Sequence, residues 1–170
     1  AYSSYWSAEG EEVPHRLNKS PLGKYEQITS LLKDRPNHKG MDFKVDVGTP
    51  VLASFNGTVT RVNWNWKGNG NCVEVKHDDG VLAKYLHLSE NRVKVGDRVK
   101  QGTVLALSGN TGRSTGPHLH YQLNKGKKVL DPIKYHGTTR RHLPEGDKAA
   151  FTAAVEKANA DIAADKASQG

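Results

Sequence analysis

With 170 residues, 35% of them hydrophobic and 25% charged, the chain is long enough to bury one ordinary core and too short for two, and this composition excludes a disordered polypeptide. Lys and Arg outnumber Asp and Glu by 25 to 18, an excess that favours anionic polymers (nucleic acid, acidic lipid and bacterial wall alike) without choosing among them. Cys72 is the only cysteine, which excludes an internal disulfide and any multi-cysteine zinc site.

Residues 1–27 are polar with scattered aromatics (Tyr2, Tyr5, Trp6, Tyr25) and read as a lead-in strand and loops. The opening AYSSYWSAEG lacks the basic and apolar regions of an export signal, and no run of about 18 apolar residues offers a membrane span. From Gln27 onward short β-like runs recur: QITSLL, MDFKVDV, PVLASF, GTVTRVNW, NCVEVKH, VLAKYLHL, RVKVGDRV, TVLALSG and HLHYQL. Turn signals such as VGTP, FNG, KGNGN and HDDG separate them, so the region to about Pro132 is expected to be mainly β, an antiparallel sheet. Cys72 falls in a strand interior and reads as a buried structural thiol. Trp64 and Trp66 stand beside a turn, where either an exposed groove rim or a packed hairpin accommodates them.

After Leu143 the composition changes to an Ala-rich tail. Asp147 is the expected N-cap of a C-terminal α-helix in which Phe151, Val155, Ala158 and Ile162 share one face, a stripe expected to dock the tail onto the domain. The expected organisation is therefore one domain over residues 1–143 and a helical tail over residues 144–170.

Two segments concentrate metal-binding side chains. In NHKGMDF, His38, Gly40 and Asp42 alternate with Lys39 and Met41; alternate residues of an extended chain share a face, so His38 and Asp42 point the same way across a glycine. In GPHLHYQL, His118 and His120 likewise share a face. Either pair alone is weak evidence, because solvated histidines are common. The combination of H-x-G-x-D with H-x-H far along the chain needs a fold that brings two strands together, and it leaves open which histidines of the second pair bind an ion. His15, His77, His136 and His142 have no paired ligand spacing and read as surface or hydrogen-bonding residues.

Two other motifs mislead. SGNTGRSTG is glycine-rich but lacks the G-K-[ST] ending of a phosphate loop. VKVGDRVKQGTVLAL resembles the half-barrel strands of biotinyl and lipoyl carriers, without an evident hairpin presenting a modifiable lysine. No basic run with interleaved aromatics supports nucleic-acid binding, and none is expected.

HKGMDF, VGTPVLASFNGTV, VEVKHDDG, KYLHLS, VKVGDRVKQG, SGNTGRSTGPHLHYQL and the closing Asp131-Pro132 form an ordered series that resembles the lysostaphin-type (LytM-like) endopeptidases over roughly a hundred residues. The resemblance implies a β-sheet domain of barrel-sandwich-like form and one zinc ion per chain held by His38, Asp42 and His120. It also implies that His118 and His87 act in catalysis; from the residues alone, His87 reads as an ordinary strand-end histidine. The implied activity is hydrolysis of peptidoglycan peptide cross-links by a monomer in the periplasm or outside the cell. The flanks YWSAEGEEV and RRHLPEGDKAAF are similar to those of Gram-negative enzymes that cut the D-alanyl to meso-diaminopimelyl bond, while other members cut glycine bridges. Some members serve as non-hydrolytic activators after losing zinc residues, and a complete site can also be autoinhibited by a covering segment. The stretch LLKDRPN before His38 is shorter than the loop usual in such relatives, with Arg35 and Pro36 as its remnant, and is expected to open one end of the groove.

Overall fold

Short runs of β-branched and aromatic residues between turn signals pair side by side as antiparallel strands, because each run has one apolar face to bury. The computed structural model describes residues 5–13 and 16–168. In chain order these form β1 (Tyr5–Trp6), β2 (Glu12–Val13), β3 (Arg16–Leu17), β4 (Gln27–Ser30), β5 (Met41–Lys44), β6 (Pro50–Leu52), β7 (Gly57–Val62), α1 (Trp66–Asn69), β8 (Asn71–His77), β9 (Leu82–Asn91), β10 (Arg98–Val99), β11 (Val104–Ser108), β12 (His118–Lys125), β13 (Lys128–Leu130), α2 (Pro132–His136), β14 (Thr138–Thr139) and α3 (Glu145–Ser168). Tyr2 and His15 lie outside the described residues. Two compact units result, one of residues 17–138 and one of residues 5–13, 16 and 139–168.

The larger unit is built on one antiparallel sheet with strand order β10-β7-β8-β9-β12-β5-β4; β11 bridges β6 and β9, and β13 pairs with β12. Strands β10 and β4 end the path, so among the described residues the antiparallel sheet is open, and the mainly β domain with a C-terminal helix is as expected. Alternation decides which face each residue takes. Along β12, Leu119, Tyr121 and Leu123 are fully buried, while His118, His120 and Gln122 between them are half-buried on the other face. Met41 and Phe43 of β5, Val73 and Val75 of β8, Tyr85 and Leu88 of β9 and Leu105 of β11 complete the core. Cys72 is buried there as expected, and burial raises its thiol pKa.

Several elements differ from the sequence reading. Of RVKVGDRV only Arg98–Val99 is strand, because Lys94 N–H donates to the Asp97 carboxylate (2.9 Å), Asp97 N–H donates to the Lys94 carbonyl (3.1 Å) and Gly96 turns at positive φ. KGNGN is no simple turn: it contributes to the one-turn helix α1, whose C-cap is Gly70. Asp131 caps α2, its side chain accepting from Ile133 N–H (3.0 Å) with Pro132 at the first helical position.

In the smaller unit, the buried Glu12 carboxylate accepts from Arg16 and from Arg141 Nε, each at 2.8 Å. Helix α3 begins at Glu145, two residues before the expected cap, so Asp147 stands in its first turn, where acids complement the helix dipole. Burial along the expected stripe is confined to its first half. Phe151 and Val155 are half-buried, whereas Ala158 is exposed and Ile162 is 54% exposed, since the Ala-rich face has little apolar surface to bury. No helix among the described residues is long and apolar enough to cross a membrane.

At the end of β8, His77, Phe55, Tyr135 and His136 pack ring against ring. Burial lowers the His77 pKa to about 4, so its imidazole is neutral in the folded chain through the range in which an unfolded histidine, near ~6.5, takes up its proton. The unfolded state therefore binds more protons between these values, and stability rises with pH across that window. Urea unfolding followed from pH 7 to pH 4 is expected to show a falling midpoint below about pH 6.5, and His77→Gln should flatten that fall; an unchanged slope in the variant would assign the acid sensitivity elsewhere.

Candidate metal centre and catalytic groove

Antiparallel pairing of β5 with β12 sets Asp42 opposite His120, flanked by the pairs Phe43–Leu119 and Met41–Tyr121. The flanking pairs point into the core, so the same alternation turns Asp42 and His120 to the opposite face. His38 stands at the end of the loop before β5 and adds a third donor; one ligand atom from each of His38, Asp42 and His120 lies within 4.8 Å of the others. Gly40 makes the cluster possible. A Cβ there would stand 2.4 Å from the Tyr121 carbonyl oxygen and 2.8 Å from His120 Nε2, so any side chain would push β12 and its imidazole away.

The donor set fits a cation. His38 Nδ1–H donates to the Leu31 carbonyl (2.6 Å), which leaves Nε2 as a lone pair. That Nε2 is buried with no hydrogen-bond partner, although Asp42 Oδ2 is 3.2 Å away. The short contact lacks hydrogen-bond geometry, and with Nδ1–H committed to Leu31 it sets two acceptors against each other, an arrangement that an ion held by both would satisfy. Asp42 Oδ1 is 2.7 Å from His120 Nδ1, and its other oxygen accepts from Arg35 Nη2. Burial alone would raise the Asp42 pKa; the hydrogen bond from His120 and the positive potential of His120, His38 and His118 outweigh it and hold the carboxyl at about 2, so it is ionised for metal binding at any ordinary pH. His38, Asp42 and His120 would hold the ion, and two imidazoles with one carboxylate are the donor set of catalytic rather than structural zinc sites.

His87 and His118 face each other across the groove beside this cluster, with ring centroids 4.7 Å apart. His87 lies between Leu86, registered with His120, and Leu88, registered with Asn71 and Ser108. It has φ 64°, a left-handed conformation costing on the order of 1–3 kcal/mol for a side-chain-bearing residue, and strain of this kind gathers at functional sites. Its Nδ1–H donates to the Thr111 carbonyl (2.9 Å), and burial lowers its pKa to about 4, so it stays neutral with a bare Nε2. His118 Nδ1–H donates to the Gly116 carbonyl (2.8 Å), with Ser114 Oγ 3.1 Å away, so its Nε2 is likewise the lone pair.

All five residues singled out from the sequence thus converge, and four of them line a cavity of about 620 Å³ together with Arg35, Lys44, Arg113 and Ser114. Missed at the sequence level was the loop from Thr111 to Pro117, which read as a mere Gly-rich connection. It supplies the carbonyls that orient His87 and His118 and is itself anchored: Thr111 Oγ1 donates to the Leu88 carbonyl (2.6 Å) and accepts from Asn71 N–H (2.9 Å). Its signal was the density of hydroxyl residues directly before H-x-H. Trp66 is 58% exposed, and Trp64 packs under Arg61, whose guanidinium is 4.5 Å from the ring centroid; neither is among the residues that line the groove. His77 and His136 are buried and hydrogen-bonded, and His142 is exposed; none joins the metal cluster.

Gly40→Ala should destabilise the fold by about 1–3 kcal/mol, the usual cost of overpacking, and weaken metal binding at the same time. Chemical denaturation and metal titration of the one variant measure both; a variant with wild-type stability and affinity would show that β12 yields freely.

Comparison with known proteins agrees with this geometry. The chain is 37% identical over 128 residues to the peptidoglycan DD-endopeptidase ShyC of Vibrio cholerae, covering 70% of this chain and 29% of that protein. It is 49% identical over 87 residues to the glycyl-glycine endopeptidase ALE-1 of Staphylococcus capitis, covering 51% and 24%. Among solved structures, a zinc-containing peptidase from Vibrio cholerae superposes with a TM-score of 0.63 at 32% identity, covering 83% of this chain and 47% of that one. The chain spans about a quarter to a third of the length of these curated relatives. Residues 36–132, more than half of the chain and all five convergent side chains among them, match Peptidase family M23, and the chain belongs to that family.

Proposed function

We propose that this chain is a zinc-dependent endopeptidase that hydrolyses peptide cross-links of peptidoglycan, with one ion held by His38, Asp42 and His120. The observation that carries the reading is the buried, unpartnered Nε2 of His38 facing the ionised Asp42 carboxylate beside His120. When bound, zinc supplies Lewis acidity that polarises a peptide carbonyl and acidifies water. The remaining steps belong to side chains. His118 Nε2, a lone pair because Nδ1–H is tied to Gly116, takes the proton of the attacking water as general base and returns it to the leaving amine. His87, with a pKa of about 4, is too weak a base for that task; its Nε2 accepts a hydrogen bond and orients the water. With Nδ1–H committed to Thr111, His87 has no second N–H for an oxyanion, so orientation is the role its tautomer permits.

The bond is that between D-alanine and meso-diaminopimelate. Similarity to a DD-endopeptidase extends over 70% of the chain, against 51% for the glycyl-glycine enzyme, whose alignment covers fewer residues. Such a substrate places the protein in the periplasm or outside the cell, acting as a monomer, with residues 1–143 as the peptidase domain and residues 144–170 as an appended helical tail.

Purified protein should contain one zinc per chain. Alanine at His38, Asp42 or His120 should abolish both metal and activity, whereas His118→Ala should keep zinc and lose on the order of 10²-fold or more in rate. Equal zinc loss in His118→Ala, measured by elemental analysis, would reverse the assignment of base and ligand. Mass spectrometry of digested muropeptide dimers should show monomers released by cleavage at D-alanyl-diaminopimelate; cleavage of pentaglycine alone would keep the mechanism and replace the substrate, and cleavage of neither would leave a wall-binding or autoinhibited protein.

A further inference from the structure

The groove beside the metal cluster carries an unbalanced charge. Of the described residues that line it, Arg35, Lys44 and Arg113 are cationic and Asp42 is the single carboxylate. Two of the three cations are already engaged: Arg35 pairs with Asp42, and Lys44 with Glu26 at 2.6 Å. The Arg113 guanidinium has no hydrogen bond or ion pair among the described residues and is exposed.

Its backbone, by contrast, is held. Arg113 N–H donates to the Gly68 carbonyl (3.0 Å). Gly112, at φ 72°, packs so closely on the α1 turn that a Cβ would stand 2.3 Å from Gly70 N. Flanking the Gly112-Arg113 pair, Thr111 and Ser114 contact the two groove histidines through Thr111 O and Ser114 Oγ. A cation on a pedestal shared with His87 and His118, and with no protein partner of its own, is placed to receive an anion that arrives with the substrate. A guanidinium suits a carboxylate, which it can bind through two parallel N–H···O bonds.

We propose that Arg113 is a specificity-determining residue that binds a free carboxylate of the substrate peptide, so that the groove selects carboxylate-bearing cross-links over glycine bridges. The inference rests on the peptidase reading above. Chemistry offers two sources: the carboxylate on the diaminopimelyl carbon that bears the scissile nitrogen, and the terminal carboxylate of a D-alanine in the same dimer.

The test uses the zinc-loaded chain and three muropeptide dimers: unmodified, amidated at the diaminopimelyl carboxylate, and amidated at the terminal D-alanine. Wild-type protein should lose on the order of tenfold or more in kcat/KM, chiefly through KM, on one amidated dimer, which identifies the source; this is the scale of one charge-assisted contact. Arg113→Gln should show the same loss on the unmodified dimer and no further loss on the amidated one, and Arg113→Lys should recover part of it, with zinc content and Tm unchanged in both. Equal wild-type rates on all three dimers, or an Arg113→Gln loss that is the same on every dimer, overturns the proposal. Binding of the three dimers is measured in parallel. If nothing is cleaved, the peptidase reading fails, yet a wild-type binding preference for free carboxylate that Arg113→Gln abolishes still supports the anion site, and no preference rejects it.

Discussion

The register between β5 and β12 is the constraint on which the rest of the site depends. Pairing His120 with Asp42 places two donors side by side on one face and, through the same alternation, commits Met41, Phe43, Leu119 and Tyr121 to the core on the other. A slip of one residue would bury the histidine face and expose the apolar one, so core packing defends the geometry of the site. Gly40 belongs to the same constraint, because Tyr121 O and His120 Nε2 approach its Cα too closely for any side chain. The donor pair is therefore set by the interior of the sheet rather than by contacts within the groove.

A second layer of order lies in the imidazole tautomers. His38, His87 and His118 each spend Nδ1–H on a backbone carbonyl, those of Leu31, Thr111 and Gly116. Main-chain oxygens can only accept, so each histidine keeps Nε2 as a lone pair, that of His38 buried against Asp42. The two loops that provide these carbonyls act as templates: the short loop before β5 presents His38, and the loop before β12 presents His87 and His118 while carrying Arg113. His87 adds strain to this arrangement, since only at positive φ does it leave the ladder between Leu86 and Leu88.

Most of the sheet was legible in the sequence, because alternation and turn chemistry are local. MDFKVDV, GTVTRVNW, NCVEVKH, VLAKYLHL and HLHYQL each overlap an observed strand. RVKVGDRV was over-read, since a Val-rich pattern hides a turn closed by the Asp97 side chain and Gly96. The tail stripe of Phe151, Val155, Ala158 and Ile162 has helical spacing, but spacing does not say whether anything covers the face, and half of it is exposed.

By itself, the sequence singled out the two segments that hold the clustered side chains and set the faces of His38, Asp42, His118 and His120, because H-x-G-x-D and H-x-H each alternate within a single strand or its approach. It also determined the family, through an ordered series of local motifs. Only the tertiary structure decided that His38, Asp42 and His120 form one cluster, that His87 bulges toward it, and that the hydroxyl-rich loop orients two histidines and presents Arg113. These depend on strand register, a positive φ and main-chain hydrogen bonds between segments distant in the chain, none of which leaves a periodic trace in residue types.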